Sequence, residues 1–77
     1  MSREELIDAR GVLCPQPIID LAAAVRRLRI GDTVRILCDD LAFPFDLESW
    51  CKGSRHELQS LEQVGRVHTG IVRKAHD

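Results

Sequence analysis

Two prolines set two residues apart, Pro15 and Pro17, limit what the first third of this chain can form. Proline lacks a backbone N–H and its ring clashes with the preceding turn, so it breaks a helix interior. Two together are tolerated in a first helical turn, where the N–H groups have no intrahelical partner. Behind them Ile18, Leu21, Ala22, Val25 and Leu28 recur at three- and four-residue steps, forming one apolar stripe. Asp20 and Arg27 fall opposite it. The pattern predicts a helix that begins at Pro15 and stops by Gly31. Ahead of it, "ELID" (Glu5–Asp8) predicts a strand, and Gly11 marks the turn between the two.

The remaining punctuation is just as short. "TVRILC" (Thr33–Cys38) predicts a second strand, with Val34, Ile36 and Cys38 on one face and Thr33, Arg35 and Leu37 on the other. A second helix is predicted within Pro44–Lys52, terminated by Gly53. Phe43, Leu47, Trp50 and Cys51 gather on its apolar side, which favours Phe43 as core. Phe45 is either core or an exposed docking contact. "HELQSLE" (His56–Glu62) predicts a third strand with poor alternation, and Arg66–Lys74 a fourth after a turn at Gly65. The order is β-α-β-α-β-β. A chain of 77 residues supports one modest core. The expectation is a single domain over 1–77, an α/β (α+β) two-layer sandwich. Both helices cover one face of a four-stranded mixed sheet.

The formal net charge of −1 argues against a general affinity for nucleic acid or acidic membranes. No predicted strand carries the aromatic platform on which sheet-based RNA readers stack bases. No apolar run reaches the length of a membrane span. The opening "MSREELID" has no apolar signal region, so a cytoplasmic protein is expected. The fourth strand's edge and the helix surfaces show no long apolar excess beyond one core, so a monomer is expected. The three cysteines, at 14, 38 and 51, are an odd set with no Cys-x-x-Cys. They are expected as thiols, with neither structural zinc nor a cofactor.

Cys14 stands apart because it directly precedes the predicted helix. A sulfur near the N-cap faces free N–H groups and the positive end of the helix dipole. Thiolates in such places titrate below the free value of about 8.5. Gly11, Pro15 and Pro17 would shape the turn and fix the direction of the side chain. Cys38 and Cys51 fall on apolar sides and read as packing. His56, His68 and His76 are scattered, so no base is assigned to the sulfur. A thiol without a base suits transfer between sulfurs better than hydrolysis. Arg10, Arg26 and Arg27 are candidates for docking acidic partners near Cys14, since charges at an interface rim steer association.

The chain resembles the TusA family of sulfur-carrier proteins, also described as SirA-like. The resemblance rests on Cys-Pro-x-Pro at 14–17 after "DARGVL", then "GDTVRILCDD" (Gly31–Asp40), "DLESWC" (Asp46–Cys51) and "HEL" (His56–Leu58). It departs at Leu41, where many members have proline, and at Arg55, where many have glycine. The resemblance implies the β-α-β-α-β-β sandwich and a sulfurtransferase activity in which Cys14 carries sulfur as a covalent persulfide. It also implies partner proteins: a cysteine desulfurase or rhodanese-like donor, and a relay acceptor. Such relays lead to tRNA thiolation, molybdenum-cofactor assembly or sulfur oxidation. The alternative is a regulatory or RNA- or protein-binding module of the same fold without sulfur chemistry.

Overall fold

The computed structural model describes residues 3–77. Met1 and Ser2, part of the charged opening stretch, lie outside them. Six elements follow in the expected order: β1 (Glu4–Ala9), α1 (Gln16–Arg27), β2 (Thr33–Cys38), α2 (Phe43–Ser54), β3 (Glu57–Val64) and β4 (Val67–Arg73). The four strands make one mixed sheet in the order β1-β2-β4-β3. β1 and β2 are parallel, and the other two pairings are antiparallel. This is the two-layer α+β arrangement the sequence predicts.

Period-two alternation sets the buried face. Val34, Ile36 and Cys38 of β2 are each fully buried, and Val72 of β4 beside Val34 is buried with them. From the helices come Pro17, Leu21, Ala24 and Val25 of α1, and Phe43, Leu47 and Cys51 of α2. Leu28 joins them from the first position after α1. Phe43 is fully buried and Phe45 is 75% exposed, so the two phenylalanines divide between core and surface. Among the described residues, no helix is long and apolar enough to cross a membrane.

Three boundaries differ from the sequence expectation. α1 ends at Arg27 rather than nearer Gly31, and just beyond it the buried Lys74 ammonium donates to the Leu28 carbonyl at 2.7 Å. A cation there satisfies a carbonyl the helix leaves free and complements the helix dipole. α2 runs through Gly53 to Ser54, and its stop is Arg55, at φ 63° in the left-handed region. Glycine suits that conformation best, so the arginine sits where a side chain is at a steric disadvantage. The weak alternation of β3 reflects a register shift between Leu58 and Ser60. With Gln59 as the extra residue, Leu58 and Leu61 pair with Val72 and Gly70 and pack against the core.

Gly70 is the tightest point between sheet and helix. A Cβ built there would collide with Leu47 Cδ2 of α2 and meet Ile36 Cγ2 at 3.6 Å. Gly70→Ala is therefore expected to destabilise the fold by about 1–3 kcal/mol through overpacking. Urea unfolding checks this: the midpoint should fall without a change in slope.

Candidate functional site

Parallel pairing decides where Cys14 sits. Ala9, the last residue of β1, pairs with Cys38, the last of β2. The chain leaving β1 therefore runs beside the chain leaving β2. Gly11, at φ 80°, turns the first of these loops back on itself, and Val12 N–H donates to the Ala9 carbonyl at 3.1 Å.

The loop after β2 then grips the loop after β1. Asp39 Oδ1 accepts the Gly11 N–H at 2.8 Å, and Asp40 Oδ2 accepts the Cys14 N–H at 3.2 Å. The other oxygen of Asp40 accepts the Ala42 N–H at 2.8 Å, at the start of α2. One carboxylate thus joins the Cys14 backbone to the entry of the second helix. The Cys38 thiol donates weakly to the Val12 carbonyl at 3.8 Å, which supports the loop from below. Asp46, in the first turn of α2, places its carboxylate near enough to the Cys14 thiol to oppose its ionisation.

Cys14 is half-buried, while Cys38 and Cys51 are buried. Its local geometry corrects two expectations. First, α1 begins at Gln16 and its N-cap is Pro15, with Pro17 in the first turn and buried. Cys14 stands one residue outside the cap, on the far side of a cis peptide bond to Pro15. Second, its thiol is not acidified. Burial, the neighbouring Asp46 carboxylate and the charge of Asp40 push its pKa up from 9.0 to about 12. A helix N-terminus pulls the other way by up to about 2 kcal/mol, or one and a half pH units, too little to offset that rise. The thiol is protonated at neutral pH. Burial likewise pushes Cys51 up to about 11.

Nor is the thiol without charged neighbours. Asp46 is the group that sequence reasoning missed, and Asp39 and Asp40 hold the loop. Their signal was the acidic pair directly after a strand parallel to the one preceding Cys14. Asp40 itself is held below the ordinary carboxylate range by the Ala42 and Cys14 N–H groups.

The basic candidates are placed differently. Arg10 lies near the loop but is engaged by Asp8 through Nε at 2.9 Å and Nη2 at 2.7 Å, which holds the Asp8 carboxyl down at about 2. Arg26 and Arg27 are in the last turn of α1, about 18 Å along the helix from its start, so they do not surround Cys14. Arg27 pairs with Glu5 at 2.6 Å. At that same far end His56 stacks on His76 with ring centroids 4.4 Å apart. Among the described residues no group of three or more His, Cys, Asp or Glu could hold a metal ion.

The profile of the family described as sulfurtransferase TusA matches residues 5–74, and the chain belongs to that family. Its fold is also similar to that of the SirA-like protein from Desulfitobacterium hafniense. That likeness has 26% sequence identity and a TM-score of 0.80, over 92% of this chain and 97% of the other. Membership gives the protein a general role as a sulfur-carrying sulfurtransferase that works in relay with other proteins.

A protonated thiol has a measurable consequence. Alkylation of Cys14 by iodoacetamide, followed by peptide mass, is expected to climb about tenfold per pH unit from about pH 7 to about pH 10, because only the thiolate reacts. Asp46→Asn should raise the rate throughout that range. A plateau below pH 8.5 in the wild type, the thiol's free value, would contradict the assignment.

Proposed function

We propose that the protein accepts sulfur on Cys14 as a persulfide and passes it to a partner protein. The observation that carries this is one half-buried thiol held on a loop fixed by Asp39 and Asp40. The other two thiols are buried. Gly11 lets the loop turn, and Pro15 and Pro17 stiffen the chain between Cys14 and α1.

The exchange balances without an outside oxidant. A donor persulfide, R–S–SH, brings its terminal sulfur to Cys14. The Cys14 sulfur attacks the terminal sulfur of the donor and gives up its proton as it does so. One S–S bond forms as the donor's S–S bond breaks, and the departing thiolate takes up that proton. The products are Cys14–S–SH and R–SH. Discharge to an acceptor thiol is the same exchange with the roles reversed. No separate cofactor is required, because the intermediate is covalent.

Donors of the cysteine desulfurase or rhodanese class supply such a sulfur. Acceptors are relay proteins of tRNA thiolation, molybdenum-cofactor assembly or sulfur oxidation, and the carrier meets each as a monomer.

Intact-protein mass spectrometry without reductant tests the reading. After incubation with a cysteine desulfurase and cysteine, or a rhodanese and thiosulfate, the wild type is expected to gain one sulfur atom. Reductant should remove it, and Cys14→Ser should gain none. Equal gain by Cys14→Ser would assign the sulfur elsewhere, and no gain with either donor would count against the carrier role.

A further inference from the structure

The end of the molecule that presents Cys14 also presents exposed hydrophobic side chains, and their positions are not scattered. Leu13 is 75% exposed, Leu41 94% and Phe45 75%. Each is the chain neighbour of a residue in the Cys14 contact set: Leu13 precedes Cys14, Leu41 follows Asp40, and Phe45 precedes Asp46. The three therefore lie at the Cys14 end of the molecule, on three separate stretches of chain. Lone exposed hydrophobics are ordinary on a small protein, but a group at the end that bears a reactive atom marks an interaction surface.

The charge inside that group selects the partner. Asp40 and Asp46 act directly on the thiol, and the exposed Asp39 stands beside them in sequence and holds Gly11. The nearby Arg10 is neutralised by Asp8. Arg66, on the β3–β4 turn, lines a cavity of about 370 Å³ with Asp39, Leu41, Gln63 and His68, and it forms no ion pair among the described residues. With Glu48 and Lys52, which line a third cavity beside Phe45, two cations against four carboxylates leave the sulfur end negative. The opposite end gathers Arg3, Arg27 and Arg29 around a second cavity with Asp32.

We infer that the Leu13–Leu41–Phe45 surface docks a protein partner that offers an apolar depression with a lysine or arginine at its centre, placed to meet the carboxylates around Cys14. This rests on Cys14 being the sulfur that exchanges. It reverses the sign of partner that the arginines alone suggest. Because the surface borders a single sulfur, donor and acceptor occupy it in turn.

Small thiosulfonates probe this surface without a partner. Each reacts by the Cys14 thiolate displacing methanesulfinate, so that a Cys14–S–S–R disulfide forms. A changed thiol pKa alters every reagent equally and cancels in a rate ratio. Relative to a neutral cysteine peptide, Cys14 is expected to favour the trimethylammonium-ethyl reagent over the sulfonatoethyl reagent by at least about tenfold, the low end of steering by a charged site. The preference should collapse in Asp39→Asn/Asp46→Asn and in about 1 M salt, where screening acts within about 3 Å. A benzyl reagent should outpace a methyl one several-fold more than on the peptide, and lose that advantage in Leu41→Ser/Phe45→Ser. Ratios equal to those of the peptide, or a preference for the anionic reagent, would overturn the inference. The expected reagent preferences with no sulfur loading would strike only the carrier reading. Sulfur loading with flat ratios would strike only the surface.

Discussion

Two successive carboxylates that accept two backbone N–H groups hold the functional end of this protein together. Asp39 takes the N–H of Gly11 and Asp40 takes that of Cys14. Without them the loop after β1 would have few fixed points, because it runs between a strand end and a helix whose first turn is occupied by prolines. A carboxylate is suited to the task. It accepts through both oxygens, as Asp40 does from Cys14 and from Ala42, and it needs no hydrogen of its own. An asparagine in the same place would turn an NH₂ toward one of those N–H donors. The position therefore asks for negative charge on grounds of hydrogen bonding alone.

That structural requirement sets the chemistry of the sulfur. The carboxylate that fixes Cys14 also opposes its ionisation, and Asp46 adds to the effect. Burial is the largest cause of the raised pKa, and the groups that position the sulfur add to it. The consequence differs from the familiar helix-start cysteine, in which the dipole exposes a thiolate. Here a thiol that meets small oxidants or alkylators in free solution is mostly unreactive, since the thiolate is the nucleophile. A docked partner changes the balance. A cation brought among the carboxylates would offset the charges that raise the thiol pKa, just as an opposite charge favours the ionised form of any acid.

Much of this arrangement was legible in the sequence, and the parts that were not share a cause. The two prolines, the apolar stripe behind them and the alternation of Thr33–Cys38 are local signals, and each produced the element it predicts. Phe43 fell on the apolar side of α2 and is buried. The failures are contacts between distant segments. Nothing local says that Lys74 will reach the Leu28 carbonyl, or that Gln59 will be the extra residue that turns Leu58 and Leu61 to the same side. The charge state of Cys14 was misjudged for the same reason. The helix start is visible in its own sequence, whereas the burial that chiefly outweighs it, and the carboxylates 26 to 32 residues away that add to it, depend on the parallel pairing of β1 with β2. The pairing could be guessed from a β-α-β order, and with it the acidic pair would have been placed beside Cys14.

On the carrier reading, the same surroundings treat an empty and a loaded sulfur differently. A persulfide extends the side chain by one S–S bond, about 2 Å, and moves the reactive atom outward from Asp40 and Asp46 toward the rim formed by Leu13, Leu41 and Phe45. Its terminal S–H is also intrinsically more acidic than a thiol. Both changes weaken the hold of the carboxylates on the proton. The loaded form is then the more readily ionised of the two and carries its charge at the outermost atom. The apolar rim serves the loaded form in a second way. Once a partner closes over it, water is excluded from the S–S bond, and the sulfur is left with a facing thiol as its acceptor. A surface that keeps the empty sulfur protonated and presents the loaded one suits a protein whose task is transport between partners rather than turnover of a small substrate.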